Sequence, residues 1–166
     1  MERYKAMQQD NLFTSLQEAT DWVNSNKRKG CVCPCCNQIA KIYKRKLIVN
    51  YVLGLFYLYK LHKQHPQTEF FHISEIKVTN NYFSAFAQLK CWELITEMDK
   101  PIDVKNKRTS GNWKLTEKGK LFVEGKIEVE QHVYMYNAEF LGYSDKKISI
   151  EEALGSRFNY TEMMHN

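Results

Sequence analysis

Four of the five cysteines in this chain of 166 residues lie within six positions, and they are the side chains best suited to chemistry. They occur in the run Cys31-Val-Cys33-Pro-Cys35-Cys36, which Asn37 follows. Cys33 and Cys36 form a C-x-x-C pair, and two thiolates one tight turn apart can face one Zn²⁺ ion at about 2.3 Å. Asn37 can adopt the left-handed backbone conformation that such a metal knuckle usually gives to glycine. The spacing therefore predicts a zinc site at Cys33 and Cys36.

A structural zinc site needs four ligands, so two further side chains have to complete it. His62 and His65 place two imidazoles one turn apart on one helix face and are the first candidates. The other candidates are His72, Cys91, Cys31 and Cys35. A helix end exposed to solvent also explains the two histidines, and free thiols also explain the cysteines. A thioredoxin-like redox pair is disfavoured because basic, strand-like residues follow the cysteines, where such a pair would open a helix.

Common catalytic patterns are missing from the sequence. It contains no G-x-S-x-G, H-E-x-x-H or G-x-x-x-x-G-K-[ST] motif. A zinc-dependent deaminase would have H-x-E before P-C-x-x-C, whereas here Pro34 follows Cys33 and no H-x-E occurs. The paired carboxylates Glu151 and Glu152 belong to a helix-capping pattern that begins at Ser149. We therefore expect the protein not to be an enzyme.

Charge is segregated along the chain, whose net charge is +5. Between Trp22 and Thr68 there are nine Lys and Arg residues and no Asp or Glu. A second basic stretch, residues 100–120, carries seven basic side chains against two acidic ones, and the remaining segments are net acidic. Separated signs of this kind suit a surface that meets a polyanion. The alternative is a solvated surface on which the basic and acidic segments pair with each other.

The composition and the longest apolar stretch favour a soluble, cytoplasmic protein with one main domain. A chain of this length buries enough surface to fold without disulfides or metals. The apolar stretch from Tyr51 to Tyr59 is far shorter than the about 20 residues that span a bilayer. The first ten residues lack the apolar run of a signal peptide. No membrane association is expected.

The order of patterns between residues 46 and 126 is typical of a winged helix-turn-helix core. Leu47 to His62 is apolar nearly all round, as in a central helix, and His65-Pro66 ends it. A short strand and helix from Phe71 to Ile76 come next, and a further helix starts at Asn80 or Asn81. Two strands around a basic, polar loop, residues 99–111, complete the pattern. The side chains expected in the core are Leu53, Phe56, Phe83, Phe86, Leu89 and Trp92.

We thus predict an α+β protein with four segments. Residues 1–30 form an N-terminal helix, which a capping box of Ser15 and Glu18 opens, and a basic linker. Residues 31–45 form a cysteine-rich, zinc-knuckle-like segment and a strand over residues 39–45. Residues 46–126 form the winged-helix domain. Residues 127–166 form a small unit with a β-hairpin, whose turn lies at residues 137–139, and a short helix.

Several short motifs resemble those of a group of small uncharacterised bacteriophage proteins. The motifs are Cys33-Pro-Cys-Cys36, Ile42-Tyr-Lys-Arg-Lys46, Lys90-Cys-Trp-Glu-Leu-Ile95, Gly111-Asn-Trp-Lys-Leu-Thr-Glu-Lys-Gly119 and Glu152-Ala-Leu-Gly-Ser-Arg-Phe158. The resemblance runs from about Gly30 to Met164 and implies a zinc-knuckle-like start followed by a winged helix. It implies no activity, but a phage-encoded chain would act in the host cytoplasm. Cys31 and Cys35 are additional to the usual pair, and the two histidines at 62 and 65 are not part of the pattern, which puts the complete four-ligand set in doubt.

The function that these patterns favour is nucleic-acid binding, with duplex DNA as the partner and a regulatory role. A recognition helix would present amides and a hydroxyl to base edges or phosphates: Asn80, Asn81, Ser84 and Gln88. The tip of the wing would add Lys105, Lys107 and Arg108. Further phosphate contacts would come from Lys41, Lys44, Arg45 and Lys46. The alternative is a protein-interaction module, such as a phage inhibitor whose basic residues bind an acidic surface of a host nucleoprotein or defence complex.

Overall fold

The computed structural model describes residues 15–76, 86–99, 110–156 and 158–165, and it shows a mixed α+β fold. The chain divides into two compact units. The first contains the residues up to Arg45 together with Tyr134–Gly142, and the second contains Lys46–Val133 and the residues from Tyr143 onward. Within the described ranges, no helix has both the length and the apolar character needed to cross a membrane.

The first unit begins with helix α1, Leu16–Asn26, which starts where its sequence predicts. The Ser15 Oγ accepts a hydrogen bond from the Glu18 amide at 3.2 Å, and the Glu18 carboxylate accepts one from the Ser15 amide at 3.2 Å. This reciprocal capping box satisfies two backbone donors that the first helical turn leaves without partners. Gly30, with a positive φ of 90°, then turns the chain into the first strand.

Two small sheets contain the strands of the first unit, and the strands of the second sheet end in residues assigned to the second unit. Strand β1, Cys31–Val32, pairs antiparallel with β2, Ile39–Ala40. Strand β3, Tyr43–Lys46, lies at one edge of a three-stranded sheet whose centre is β8, His132–Tyr136, and whose other edge is β9, Glu139–Tyr143.

Backbone geometry shapes both sheets. The sequence predicts one strand over residues 39–45, but the structure has two, because the Ile42 amide donates instead to the Lys27 carbonyl at the end of α1 (2.9 Å). Asn137 and Ala138 both have positive φ (49° and 64°), the conformation of the two-residue turns that join tight hairpins. The turn predicted there is therefore present.

The second unit is organised around helix α2, Val49–Gln64, which is buried on most of its sides. Its C-terminal residue is followed by His65 and Pro66, and the helix ends there as predicted. Helix α3, Glu117–Val123, and helix α4, Ile150–Leu154, both pack against it. The predicted capping box opens α4, since the Ser149 side chain accepts from the Glu152 amide and the Glu152 side chain accepts in return.

A three-stranded antiparallel sheet packs beside α2. Its strands are β4, Phe71–His72, β5, Ile95–Glu97, and β6, Asn112–Leu115, in the order β4-β6-β5. A 3-10 helix, Ala87–Trp92, precedes β5, where the sequence predicts the end of an α-helix. Glu93 ends it in the left-handed conformation, with φ 60°.

The remaining elements of the second unit lie near the end of the chain. Strand β7, Val129–Glu130, pairs antiparallel with β10, Lys147–Ile148. Helix α5, Tyr160–His165, is the last element. The Tyr160 hydroxyl donates to the Val123 carbonyl at 3.0 Å, which ties α5 to the end of α3.

Most of the predicted core is buried. Phe56, Phe86, Leu89 and Trp92 are at most 2% exposed, while Phe83 lies outside the described residues. Leu53, also expected in the core, is less buried than these residues, because it lies on the outward stripe of α2 that also carries Asn50, Tyr57 and Lys60. Leu55 and Leu58 are fully buried in its place.

Gly119 allows α3 to lie directly against the chain that leads into β5. A Cβ atom at this position would overlap the Leu94 carbonyl oxygen and press on the Leu115 side chain. The same carbonyl accepts from the Thr116 amide at 3.1 Å, and the Thr116 hydroxyl donates to the Glu93 carbonyl at 2.6 Å. The close approach of these backbones therefore requires glycine.

Gly119→Ala should destabilise the second unit, although alanine is the better helix former. The methyl group must displace backbone rather than a flexible side chain, and we expect a loss of about 1–3 kcal/mol in the free energy of unfolding. Urea unfolding followed by tryptophan fluorescence measures it, since Trp92 and Trp113 are buried in this unit. Lys120→Ala, at an exposed position of the same helix, is the control and should change stability by about 0.5 kcal/mol or less. Equal stability of the two variants would contradict the prediction.

Candidate cysteine hairpin and nucleic-acid interface

The C-x-x-C pair lies in the turn that joins β1 to β2, here named the cysteine hairpin, residues 31–40. Beyond the paired strands, the Cys33 amide donates to the Gln38 carbonyl at 2.7 Å, and the Asn37 amide donates to the Cys33 carbonyl at 2.9 Å. Asn37 has the positive φ (57°) predicted for it. Cys36 is exposed and Cys33 is partly exposed, so both thiols are accessible from solvent.

The backbone of the cysteine hairpin favours a thiolate at Cys33. The N–H groups of Cys35 and Cys36 donate to the Cys33 sulfur and lower its pKa, and the neighbouring thiols lower it further. Desolvation, followed by the charge of Cys33, raises the pKa of the Cys35 thiol. Burial raises the pKa of Cys31, whose Sγ lies 3.8 Å from the Ala40 carbonyl oxygen. Cys33 is thus the best first ligand for a soft metal ion.

The described residues include every cysteine and histidine of the chain. Among these residues, no group of three or more His, Cys, Asp or Glu side chains is arranged to hold a metal ion. The cysteine hairpin belongs to the first unit, and His62 and His65 belong to the second.

His62 has a structural role in the second unit. Its Nε2 accepts from the Leu115 amide at 3.2 Å, which requires that nitrogen to be unprotonated. The ring packs edge-on against Phe71, with the ring centres 4.9 Å apart. Burial, followed by the charge of Lys114, lowers the pKa of His62, while a hydrogen bond to the Thr68 backbone acts in the opposite direction. Metal binding by His62 would require the hydrogen bonds of its ring to break. His65 is exposed to solvent.

The basic residues predicted between positions 41 and 46 lie in strand β3 or just before it, and all four residues of the strand are exposed. Lys44, Arg45 and Lys46 therefore face solvent, and Lys41 is partly buried just before the strand. The Arg45 guanidinium lies 6.0 Å from the centre of the Tyr43 ring.

A groove of about 430 Å³ lies on the first unit and is here named the basic groove. Its lining residues are Arg28, Ile42, Lys44, Tyr134 and Leu141. Sequence reasoning identified only Lys44 among them. The tyrosine-rich alternation of residues 132–136 was the available sequence signal for Tyr134. However, no residue near this segment in the sequence indicates that it lies beside β3.

Of the residues predicted in the recognition helix, only Gln88 lies in the described part of the chain. It is on the 3-10 helix, and its Oε1 is shielded from solvent without a hydrogen-bond partner among the described residues. A base contact by this oxygen would require the side chain to turn outward. Asn80, Asn81 and Ser84 lie outside the described residues, as do the three wing residues Lys105, Lys107 and Arg108.

The base of the predicted wing lies within the described residues and is held by hydrogen bonds and an ion pair. The Met98 amide donates to the Asn112 carbonyl at 3.0 Å, and the Ser110 amide donates to the Glu97 carboxylate at 2.6 Å. Glu97 also forms an ion pair with Lys90 of the 3-10 helix at 2.8 Å. One carboxylate thus connects the hairpin to the helical segment before it.

Comparison of the chain with protein-family models, with curated proteins and with solved structures finds no match.

Cys33 should react with iodoacetamide at a lower pH than Cys35 in metal-free protein. Amide donors stabilise the Cys33 thiolate, and the thiolate is the reactive form. Mass spectrometry of the alkylated hairpin peptide across a pH series gives, for each cysteine, the pH at which the alkylation rate reaches half of its maximum. The exposed Cys35, on the same turn, is the internal control. Coincident midpoints would contradict the prediction.

Proposed function

We propose that this chain is a nucleic-acid-binding, regulatory protein that contacts duplex DNA through a winged helix in its second unit. The order of elements supports this: helix α2, strand β4, the 3-10 helix, and then the β5–β6 hairpin. The last strand lies between the other two, and the sheet packs on the helices. This is the plan expected of a winged variant of helix-turn-helix.

The observation that carries the proposal is the anchored base of the hairpin. Glu97 holds the hairpin to the 3-10 helix through Lys90 and to its own second strand through Ser110. The segment between the strands supplies Lys105, Lys107 and Arg108. A fixed base with cations in the connecting segment is what a wing needs in order to contact phosphates.

Zinc is the cofactor that we propose, with Cys33 and Cys36 as the two ligands that the cysteine hairpin supplies. The amide donors to the Cys33 sulfur and the left-handed Asn37 support it, since both features favour a thiolate pair on a tight turn. Bound zinc would hold the turn closed and stabilise the first unit.

Protein purified without chelator should carry about one zinc ion per chain. Cys33→Ser should lose the metal and lower the melting temperature, because metal binding contributes to folding. Metal analysis by mass spectrometry and thermal unfolding measure the two effects. Gln38→Ser, at an exposed position of the same hairpin and at a residue that is not a candidate ligand, is the control and should keep the metal. A metal content near zero in the wild-type protein would contradict the prediction.

Duplex DNA binding should weaken with salt at a log–log slope of about −0.9 for each phosphate contact. Replacement of Lys105, Lys107 and Arg108 by alanine should therefore flatten the slope by about two to three. Affinity measured by fluorescence anisotropy at several salt concentrations gives the slope.

A second triple variant, Lys126, Lys146 and Lys147 to alanine, is the control, because it removes the same charge from exposed positions in an acidic segment. It should keep the wild-type slope. Equal slopes for both triple variants would contradict a wing contact. Wild-type protein that does not bind duplex DNA at low salt would contradict the whole proposal and favour the alternative of a basic module that binds an acidic protein partner.

A further inference from the structure

The basic groove is built by all three strands of the first unit's sheet. Lys44 comes from β3, Tyr134 from β8 and Leu141 from β9. Ile42 and Arg28 complete it, and the hydrogen bond from the Ile42 amide to the Lys27 carbonyl brings the end of α1 beside the sheet. Pockets for small ligands measure roughly 300–1,000 Å³, so about 430 Å³ suits one nucleotide and is too small for a duplex.

The lining of the groove combines a flat apolar surface with two cations. Tyr134 is half-buried, and Leu141 is 47% exposed. Arg28 and Lys44 are exposed, and across the described ranges neither has an ion-pair partner. A ligand that satisfies such a groove carries a planar ring and an anionic group.

The charge around the groove favours an anion over a neutral ligand. The described residues of the first unit include six basic side chains against three acidic ones. Arg45 follows Lys44 on β3 and is also exposed, so it adds to the positive charge of the first unit.

We propose that the basic groove binds one nucleotide of single-stranded nucleic acid, with the base stacked on Tyr134 and the phosphate held between Arg28 and Lys44. A tyrosine ring can stack only on an unpaired base, because both faces of a base inside a duplex are covered. The proposal shares with the proposed function the premise that the ligand is a nucleic acid, but it does not need duplex binding by the second unit. A free nucleotide has the same chemistry, and the experiment separates the two sources.

The test compares binding of a fluorescent oligothymidylate and of thymidine monophosphate to the full chain. Tyr134→Ala should weaken oligonucleotide binding at least about fivefold, the lower end of what one base–aromatic stack contributes. Tyr134→Phe keeps the stacking face and should bind like the wild type. Phe140→Ala removes an exposed ring from the adjoining strand without altering the groove lining, and it should also bind like the wild type.

Charge reversal gives a second test that does not depend on the packing of Tyr134. Arg28→Glu and Lys44→Glu should each weaken binding more than Lys29→Glu does, since Lys29 is an exposed neighbour outside the groove. All three positions are exposed, and circular dichroism confirms that the variants are folded.

Each outcome decides the proposal. Tight oligonucleotide binding with weak monophosphate binding identifies the strand as the ligand, whereas similar affinities for both identify a free nucleotide. No binding of either ligand at low salt, or Tyr134 and charge-reversal variants that bind like their controls, overturns the proposal. If the Tyr134 and charge-reversal variants bind the oligonucleotide normally while the wing variant shows a flatter salt dependence of duplex binding, the groove proposal is wrong and the wing proposal stands. If Tyr134→Ala weakens oligonucleotide binding while the wing variant keeps the wild-type salt dependence of duplex binding, the wing proposal is wrong and the groove proposal stands.

Discussion

The pairing of β3 with β8 is the contact on which the first unit depends. All four β3 side chains are exposed, so burial of apolar surface does not explain why this strand forms. Backbone hydrogen bonds fix it instead. The Ile42 amide is bound to the Lys27 carbonyl before the strand, and the Leu47 amide is bound to the Gln131 carbonyl after it. Because the backbone alone holds the strand, its side chains are available for binding.

Features set by neighbouring residues could be predicted from the sequence. Both capping boxes, the left-handed Asn37 and the end of α2 before Pro66 each depend on groups within a few positions of one another. Their geometry follows from local hydrogen bonds and from steric limits on the backbone, which tertiary packing does not change. The α+β class follows from the same local patterns.

Long-range pairing could not be predicted. The alternation of residues 39–45 predicts one strand, and only the bond between Ile42 and Lys27 shows why it breaks. The strand β8 is far from β3 in the sequence, and no turn joins them, so Tyr134 and Leu141 could not be placed beside Lys44. His62 shows the same limit, since its partner is a backbone amide 53 residues away.

The candidate site also contains some residues that could be predicted from the sequence and others that could not. The exposed positions of Lys44, Arg45 and Lys46 were predicted from a run of charge that has no place in a core, and the structure places them on an open strand. The C-x-x-C pair could also be predicted, because Cys33 and Cys36 are only three positions apart. The groove lining could not, because Arg28 and Tyr134 meet only through the folded backbone.

The size of the first unit's core has a consequence for how the protein responds to its ligands. Among its described residues, a small cluster of Val23, Cys31 and Ala40 is buried, with Trp22, Cys33 and Tyr136 packed against it. A cluster of this size contributes little free energy, so this unit should open locally at lower cost than the second unit. A ligand that binds only the closed form adds its binding free energy to that of folding. If the proposed zinc ion and the proposed nucleotide each bind only the closed form, occupancy of either site would raise the folded fraction of this unit, and each ligand would strengthen the binding of the other without touching it.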